Sequence, residues 1–191
     1  MASIKLTGDT SGEITISAPA VAGTNTLTLP AETGNIITND TSGTILQVVS
    51  TTKTDLFTTT STTMTDITGL SVSITPISTS NKILVTGMVV GSQSTSAFST
   101  YNLVRGSTNI SQCTGASSLN VSFFHDNESF ADVDRGLTYM PINFLDSPSS
   151  TSSTTYKVQV DSNGGSVTIN RRGLNNGIGT VSTLTVMEIV A

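Results

Sequence analysis

Thr154 to Asn170 reads TTYKVQVDSNGGSVTIN, and the reading of these residues decides the fold class. Tyr156, Val158 and Val160 alternate with polar neighbours, Asp161 to Gly165 supplies turn-forming residues, and Val167 and Ile169 resume the alternation. A period of two turns every second side chain to one face, so the stretch reads as a β-hairpin with one buried side. Two strands alone are marginal in water. The apolar face therefore calls for a second sheet or another subunit to cover it.

Strand signals of the same kind recur on either side. They run over Ile45 to Val49, Thr63 to Thr68, Leu70 to Thr75, Lys82 to Val90, Ala97 to Arg105, Leu137 to Leu145 and Val181 to Val190, with turn residues between them. TPISTSN, between Ile74 and Lys82, is a loop, and RGSTN (Arg105 to Asn109) is a second hairpin turn. Pro141 cannot donate to a strand ladder, so its strand reads as an edge or a bulge. No helical period of useful length occurs. About ten short strands at even turn spacing predict an all-β domain, a jelly-roll-type β-sandwich over residues 41–191. An immunoglobulin-like sandwich is the runner-up, without the Cys…Trp…Cys core of that fold.

Residues 1–40 read differently. Ile14 and Ile16, then Leu27 and Leu29, form tiny strands separated by SAPAVAGTN and closed by Pro30 and Gly34. These four apolar positions are too few for a core, so the segment is expected to be an extended N-terminal β arm or stem, ordered by a partner surface or by identical copies. It is the candidate element for attachment and for assembly with identical copies, which the resemblance described below makes trimerisation.

At 191 residues the chain supports one main core. Charged residues make up 11%, Trp is absent, and the net charge is −5. Ser and Thr therefore build the surface, and the acidic balance works against a phosphate backbone as partner, so no nucleic-acid binding is expected. The opening MASIKLTGDTSG lacks the apolar centre of a signal peptide, and Ile83 to Val90 is too short to span a bilayer. Synthesis in the cytoplasm without membrane insertion is the expectation. Cys113 is the single cysteine, which rules out an intrachain disulfide.

Three constellations bear on chemistry. His125, Asp126, Glu128, Asp132 and Asp134 crowd one segment, HDNESFADVD, but the spacing lacks the glycine and closing glutamate of an EF-hand and there is no second histidine. A solvated loop is the preferred reading, with a calcium ion at a subunit boundary as the alternative. No G-x-S-x-G elbow accompanies His125, and Asp132 with Asp134 has no tryptophan on which a sugar would stack, so neither a hydrolase nor a glycosidase is predicted. The glycines of GLNNGIG are turn residues, and Arg171-Arg172 reads as an exposed strand end or a bridge to carboxylates of a neighbouring subunit. No catalytic residue, cofactor or metal is predicted.

Phe123, Phe124 and Phe130 are a separate matter. Adjacent Phe123 and Phe124 face opposite sides of a strand, so one of them leaves the core. The three are candidates for a subunit interface, with contact to an internal loop as the plainer alternative.

SGEITISAPAVAGTNTLTLPAETGNII, residues 11–37, resembles a segment of structural proteins of tailed bacteriophages, especially those of marine bacteria and cyanobacteria, often labelled tail-fibre proteins. ILQVVSTTKTDLF, TDITGLSVSITP, SNKILV, LVRGST, INFLDSPSSTSSTTYKVQV and STLTVMEI look like the domain that follows it in such proteins. The strand pattern is also loosely similar to the trimeric jelly rolls of the C1q and tumour-necrosis-factor type. The resemblance implies a non-enzymatic virion surface protein, a homotrimer seated on the major capsid protein or on tail or baseplate proteins. A head decoration (cement) protein is the first expectation. A short tail fibre or fibre tip that binds a host surface glycan is the second.

Overall fold

The computed structural model describes residues 3–17, 40–94, 97–116, 120–126, 136–172 and 179–191, with isolated positions 20, 21, 23, 24 and 31. The chain divides into two compact units, Met1–Ile36 and Ile37–Ala191. In chain order the strands are β1 (Ser3–Thr7), β2 (Glu13–Ser17), β3 (Ile45–Lys53), β4 (Phe57–Thr59), β5 (Thr65–Ile74), β6 (Lys82–Gln93), β7 (Phe98–Arg105), β8 (Thr108–Ile110), β9 (Phe123–Asp126), β10 (Thr138–Asp146), β11 (Thr154–Ser162), β12 (Val167–Ile169) and β13 (Ser182–Ile189). There is no helix among the described residues, hence none long and apolar enough to cross a membrane.

The first unit contains a two-stranded antiparallel ribbon, β1 with β2. The second is a sandwich of two antiparallel sheets. In one, β10 takes one edge of β6 while β13 and β12 lie end to end along the other; β3 and β4 continue outward from β13 and β12. In the other, β11 lies between β5 and β7, and the far edge of β7 is shared by β8 and β9. Merging collinear pieces leaves eight rows, which pair first with eighth, second with seventh, third with sixth and fourth with fifth. That nesting is what results when one long antiparallel ribbon is rolled around a core, and it makes the domain a jelly roll.

The inward positions of both sheets form one core. Ile83, Val85 and Val89 of β6 and Leu184 and Val186 of β13 meet Tyr101 and Leu103 of β7 and Tyr156, Val158 and Val160 of β11. The alternation read from Tyr156 to Val160 is seen directly, since those three side chains have no exposed surface.

Two readings need correction. β11 and β12 are not paired with each other: β11 joins β5 and β7, whereas β12 joins β6 and β4. The turn between them carries the chain from one sheet to the other. It is held there by Gln93 Nε2 donating to Ser162 Oγ at 3.0 Å and by Ser166 N donating to Ser94 Oγ at 2.9 Å. A period of two states which face is buried; it does not say which strand supplies the ladder. Second, Thr63 to Thr68 and Leu70 to Thr75 belong to one strand, β5, interrupted by an irregularity opposite Lys157 to Gln159. Gly69, at φ +82°, provides the left-handed backbone the bulge requires. The edge reading of Pro141 matches the structure, because β10 pairs with β6 alone among the described strands.

Candidate assembly surfaces

The ribbon register places Ile4 opposite Ile16 and Leu6 opposite Ile14, and these four side chains share one face. They are 63%, 46%, 55% and 67% exposed respectively. The other face is polar, with Lys5 Nζ bonded to Glu13 Oε1 at 2.8 Å. Gly8 N donates to the carbonyl of Gly12 at 3.0 Å and closes the turn. Of the four predicted anchor residues, Ile14 and Ile16 therefore lie on this face, while Leu27 and Leu29 lie outside the described residues. Ile4 and Leu6 went unread as a strand. Their signal was present, as SIKLT alternates like EITIS across the intervening GDTSG.

The sandwich has two outer faces of different chemistry. On the sheet built around β6, register brings Val48 beside Met187, Met187 beside Leu84, and Leu84 beside Leu145. This is one continuous aliphatic row across β3, β13, β6 and β10. Its end members, Val48 and Leu145, are each 55% exposed. The next row is polar and uncharged: Ser50, Thr185, Thr86 and Asn143, with Ser50 Oγ and Thr185 Oγ1 2.8 Å apart. Lys82, turned to Ser147 Oγ at 2.8 Å, stands at the rim of this face.

The opposite sheet is charged outside and partly roofed. Asp66 accepts from Lys157 Nζ and from Gln159 Nε2, both at 2.7 Å. Lys157, followed by burial acting the other way and by the bond from Gln159, holds the Asp66 carboxyl below the usual carboxylate range. Asn102 and Val104 point away from the core yet are buried, and Gln112 reaches over to donate to Asn102 Oδ1 at 2.9 Å. Beside Asp66 an open groove of about 550 Å³ is lined by Ser71, Gly69, Gly106, Thr155 and Lys157.

The phenylalanines separate as their adjacency predicts. Phe123 is half-buried against the core, and Phe124 turns outward, 51% exposed, with its ring centroid 5.4 Å from that of Phe98. Phe130 lies outside the described residues, as do Glu128, Asp132, Asp134 and Asn176-Gly177. His125, on β9, is buried. Among the described residues no group of three or more His, Cys, Asp and Glu is placed to hold a metal ion. Arg171 and Arg172 are half-buried at the end of β12 rather than fully exposed, and Arg171 forms an isolated bridge with Gly179.

Two buried polar side chains, Glu188 and Asn170, each gather several hydrogen bonds. Glu188 has no exposed surface and accepts from Asn81 Nδ2 at 2.6 Å, Gln47 Nε2 at 2.5 Å and the Ile77 backbone N–H at 2.7 Å. Burial pushes its carboxyl up, but those donors and the Ser78 backbone outweigh it, and the net direction is down. Asn170 donates from Nδ2 to the carbonyls of Lys53 and Asp55 at 2.8 and 3.0 Å and accepts from Ser182 Oγ at 2.6 Å. It ties the β3–β4 break to the β12–β13 break.

No family model matches the chain, and no curated protein does. Among solved structures it is similar to "Structure of infectious bursal disease virus Gx strain", at 18% identity and a TM-score of 0.39, over 97% of this chain and 45% of that one. It is also similar to "Crystal structure of infectious bursal disease virus VP2 subviral particle", at 18% identity and a TM-score of 0.38, over 87% of this chain and 42% of that one. The chain thus spans less than half the length of either. The jelly-roll winding rests on this chain's own strand pairing, to which likenesses of this degree add nothing finer.

Proposed function

We propose that this chain is a non-enzymatic surface component of a bacteriophage virion, a homotrimeric capsid decoration protein. Its N-terminal ribbon lies on the major capsid protein and its jelly roll projects outward. The observation that carries this reading is the ribbon's apolar face: Ile4, Leu6, Ile14 and Ile16 lie together and exposed on a two-stranded element too small to bury them itself. Such a ribbon gains order by laying that face on a larger body. The resemblance of residues 11–37 to phage structural proteins supplies the kind of body.

The test is incorporation of the full-length chain carrying Ile14→Asn and Ile16→Asn. Loss of the protein from purified particles, with the jelly roll still folded by circular dichroism, is expected; unchanged incorporation overturns the anchor. Quantitative counting then locates it, since many copies spread over the head mean decoration.

A second reading, a short tail fibre or fibre tip, is favoured by one feature. The groove beside Asp66 presents a carboxylate, hydroxyls and an ammonium of the kind that hydrogen-bonds sugars. A few copies confined to the tail, together with glycan binding lost in Asp66→Ala, would establish it in place of decoration.

A further inference from the structure

The two outer faces of the sandwich are not equivalent, and the difference bears on what meets them. The face built on β3, β13, β6 and β10 carries the aliphatic row Val48, Met187, Leu84 and Leu145 above a row of hydroxyls and one amide, with Lys82 only at the rim. Scattered exposed aliphatics are ordinary on a soluble surface, but four aligned by register across β3, β13, β6 and β10, two exposed and two half-buried, form a patch. We infer that this face is the surface on which a second copy of the same chain packs.

Three observations favour a copy of this chain as occupant. First, the protein carries a net charge of −5, so copies repel wherever their carboxylates approach. Among the described residues this face has no carboxylate at its outward positions, while the opposite face carries Asp66 and Asp161. It is therefore the broad face on which like meets like without that penalty. Second, the sheet edges are unsuited to continuous pairing between copies. Pro141 interrupts the donors of β10, the Gly69 bulge bends β5, and β3 points a buried Lys53 inward from its end. Association is thereby directed from edges to faces. Third, the size suffices. Four strands about 4.8 Å apart, each with some nine residues rising about 3.3 Å, present roughly 500 Å². Two such faces in contact bury on the order of 1,000 Å², the lower bound for a specific interface, in a two-fold contact that pairs copies and is separate from the threefold assembly of the proposed function.

The inference does not depend on a virion location, and its test needs no particle. Sedimentation velocity of the full-length protein across a range of concentrations is compared with that of Val48→Glu and Leu145→Glu. In a contact between copies every subunit then carries the new charge. The expected result is an oligomer for the parent chain and at least a ten-fold weaker association for each variant, with the same circular dichroism and melting behaviour. Ile77→Glu, at a position 65% exposed outside the strands, serves as the charge control and leaves association unchanged. Should either variant fail to fold, Leu145→Asn, milder at a half-exposed edge position, is read instead, with weakened association expected. A parent chain that stays monomeric overturns the inference and leaves the face to a different protein. Association unchanged in the folded face variants, but lost in Ile14→Asn with Ile16→Asn, also overturns it and assigns assembly to the ribbon.

Discussion

The hydroxyl of Tyr156 donates to Asp146 Oδ2 at 2.7 Å, from β11 in one sheet to β10 in the other. Arg105 Nη1, at the end of β7, donates to both oxygens of the same carboxylate at 2.8 Å. One carboxylate thus receives both of its charge-assisted partners from the facing sheet, which clasps the sandwich at this end. Burial, and then the neighbouring carboxylate, push the phenol of Tyr156 above its ordinary value, so it stays a donor throughout the working range.

Tyr156→Phe removes one hydrogen bond to a buried charge while keeping the ring in place. The expected loss is about 2 kcal/mol, read as a lower urea midpoint with unchanged slope. A loss below measurement would mean that Arg105 alone satisfies Asp146.

Acid is expected to weaken the fold through Glu188. Its folded-state value lies below the ordinary 4.5, so its contribution is complete above that pH and is lost as pH falls through its own lower value. Chemical denaturation between pH 7 and pH 3 should show this loss. Glu188→Gln should flatten that part of the profile while lowering stability near neutrality, since an amide meets the Asn81 and Gln47 donors less well than a carboxylate.

Gly87 lies in β6 opposite Leu184 of β13, and a Cβ there would meet the Thr183 carbonyl oxygen at 2.3 Å and Leu184 Cα at 3.2 Å. Backbone cannot give way as a side-chain tip can. Gly87→Ala is expected to cost about 3 kcal/mol or to abolish soluble expression, whereas Gly106→Ala, with open space around its Cβ, costs only its positive φ of +59°. Parallel melts of the two variants distinguish contact from conformation.

Asn170 combines a left-handed backbone, φ +66°, with three side-chain hydrogen bonds. Asn170→Gly keeps the backbone and loses the bonds; Asn170→Ala loses both. The alanine variant should therefore be the less stable by about 1 kcal/mol, a difference calorimetry resolves. Equal stability would show that the bonds carry the whole effect.

Much of the sandwich was legible because its strands alternate cleanly. STLTVMEI states its inward set, Leu184 and Val186, without help from any neighbour, and Pro141 announced an edge or a bulge, of which the structure shows the edge. Short pieces were less legible. β4 is three residues long and borrows its order from β12, and β9 follows QCTGASSLN, residues 112–120, where no period of two marks a strand. Of the candidate surfaces, Ile14 and Ile16 could be read as strand positions, but the joint face with Ile4 and Leu6 depends on register. Phe123 and Phe124 were correctly sent to opposite sides, yet the broad apolar row lies on the other sheet.

Alternation of side chains is a local property, carried by each strand's own residues, and so the all-β class, most of the longer strands of the sandwich and their inward faces followed from the sequence alone. Partnership between strands is set by the burial of all inward faces at once. Only the tertiary structure could decide that Tyr156–Val160 and Val167–Ile169 part to different sheets, and that Val48, Met187, Leu84 and Leu145, scattered along the chain, stand in one row.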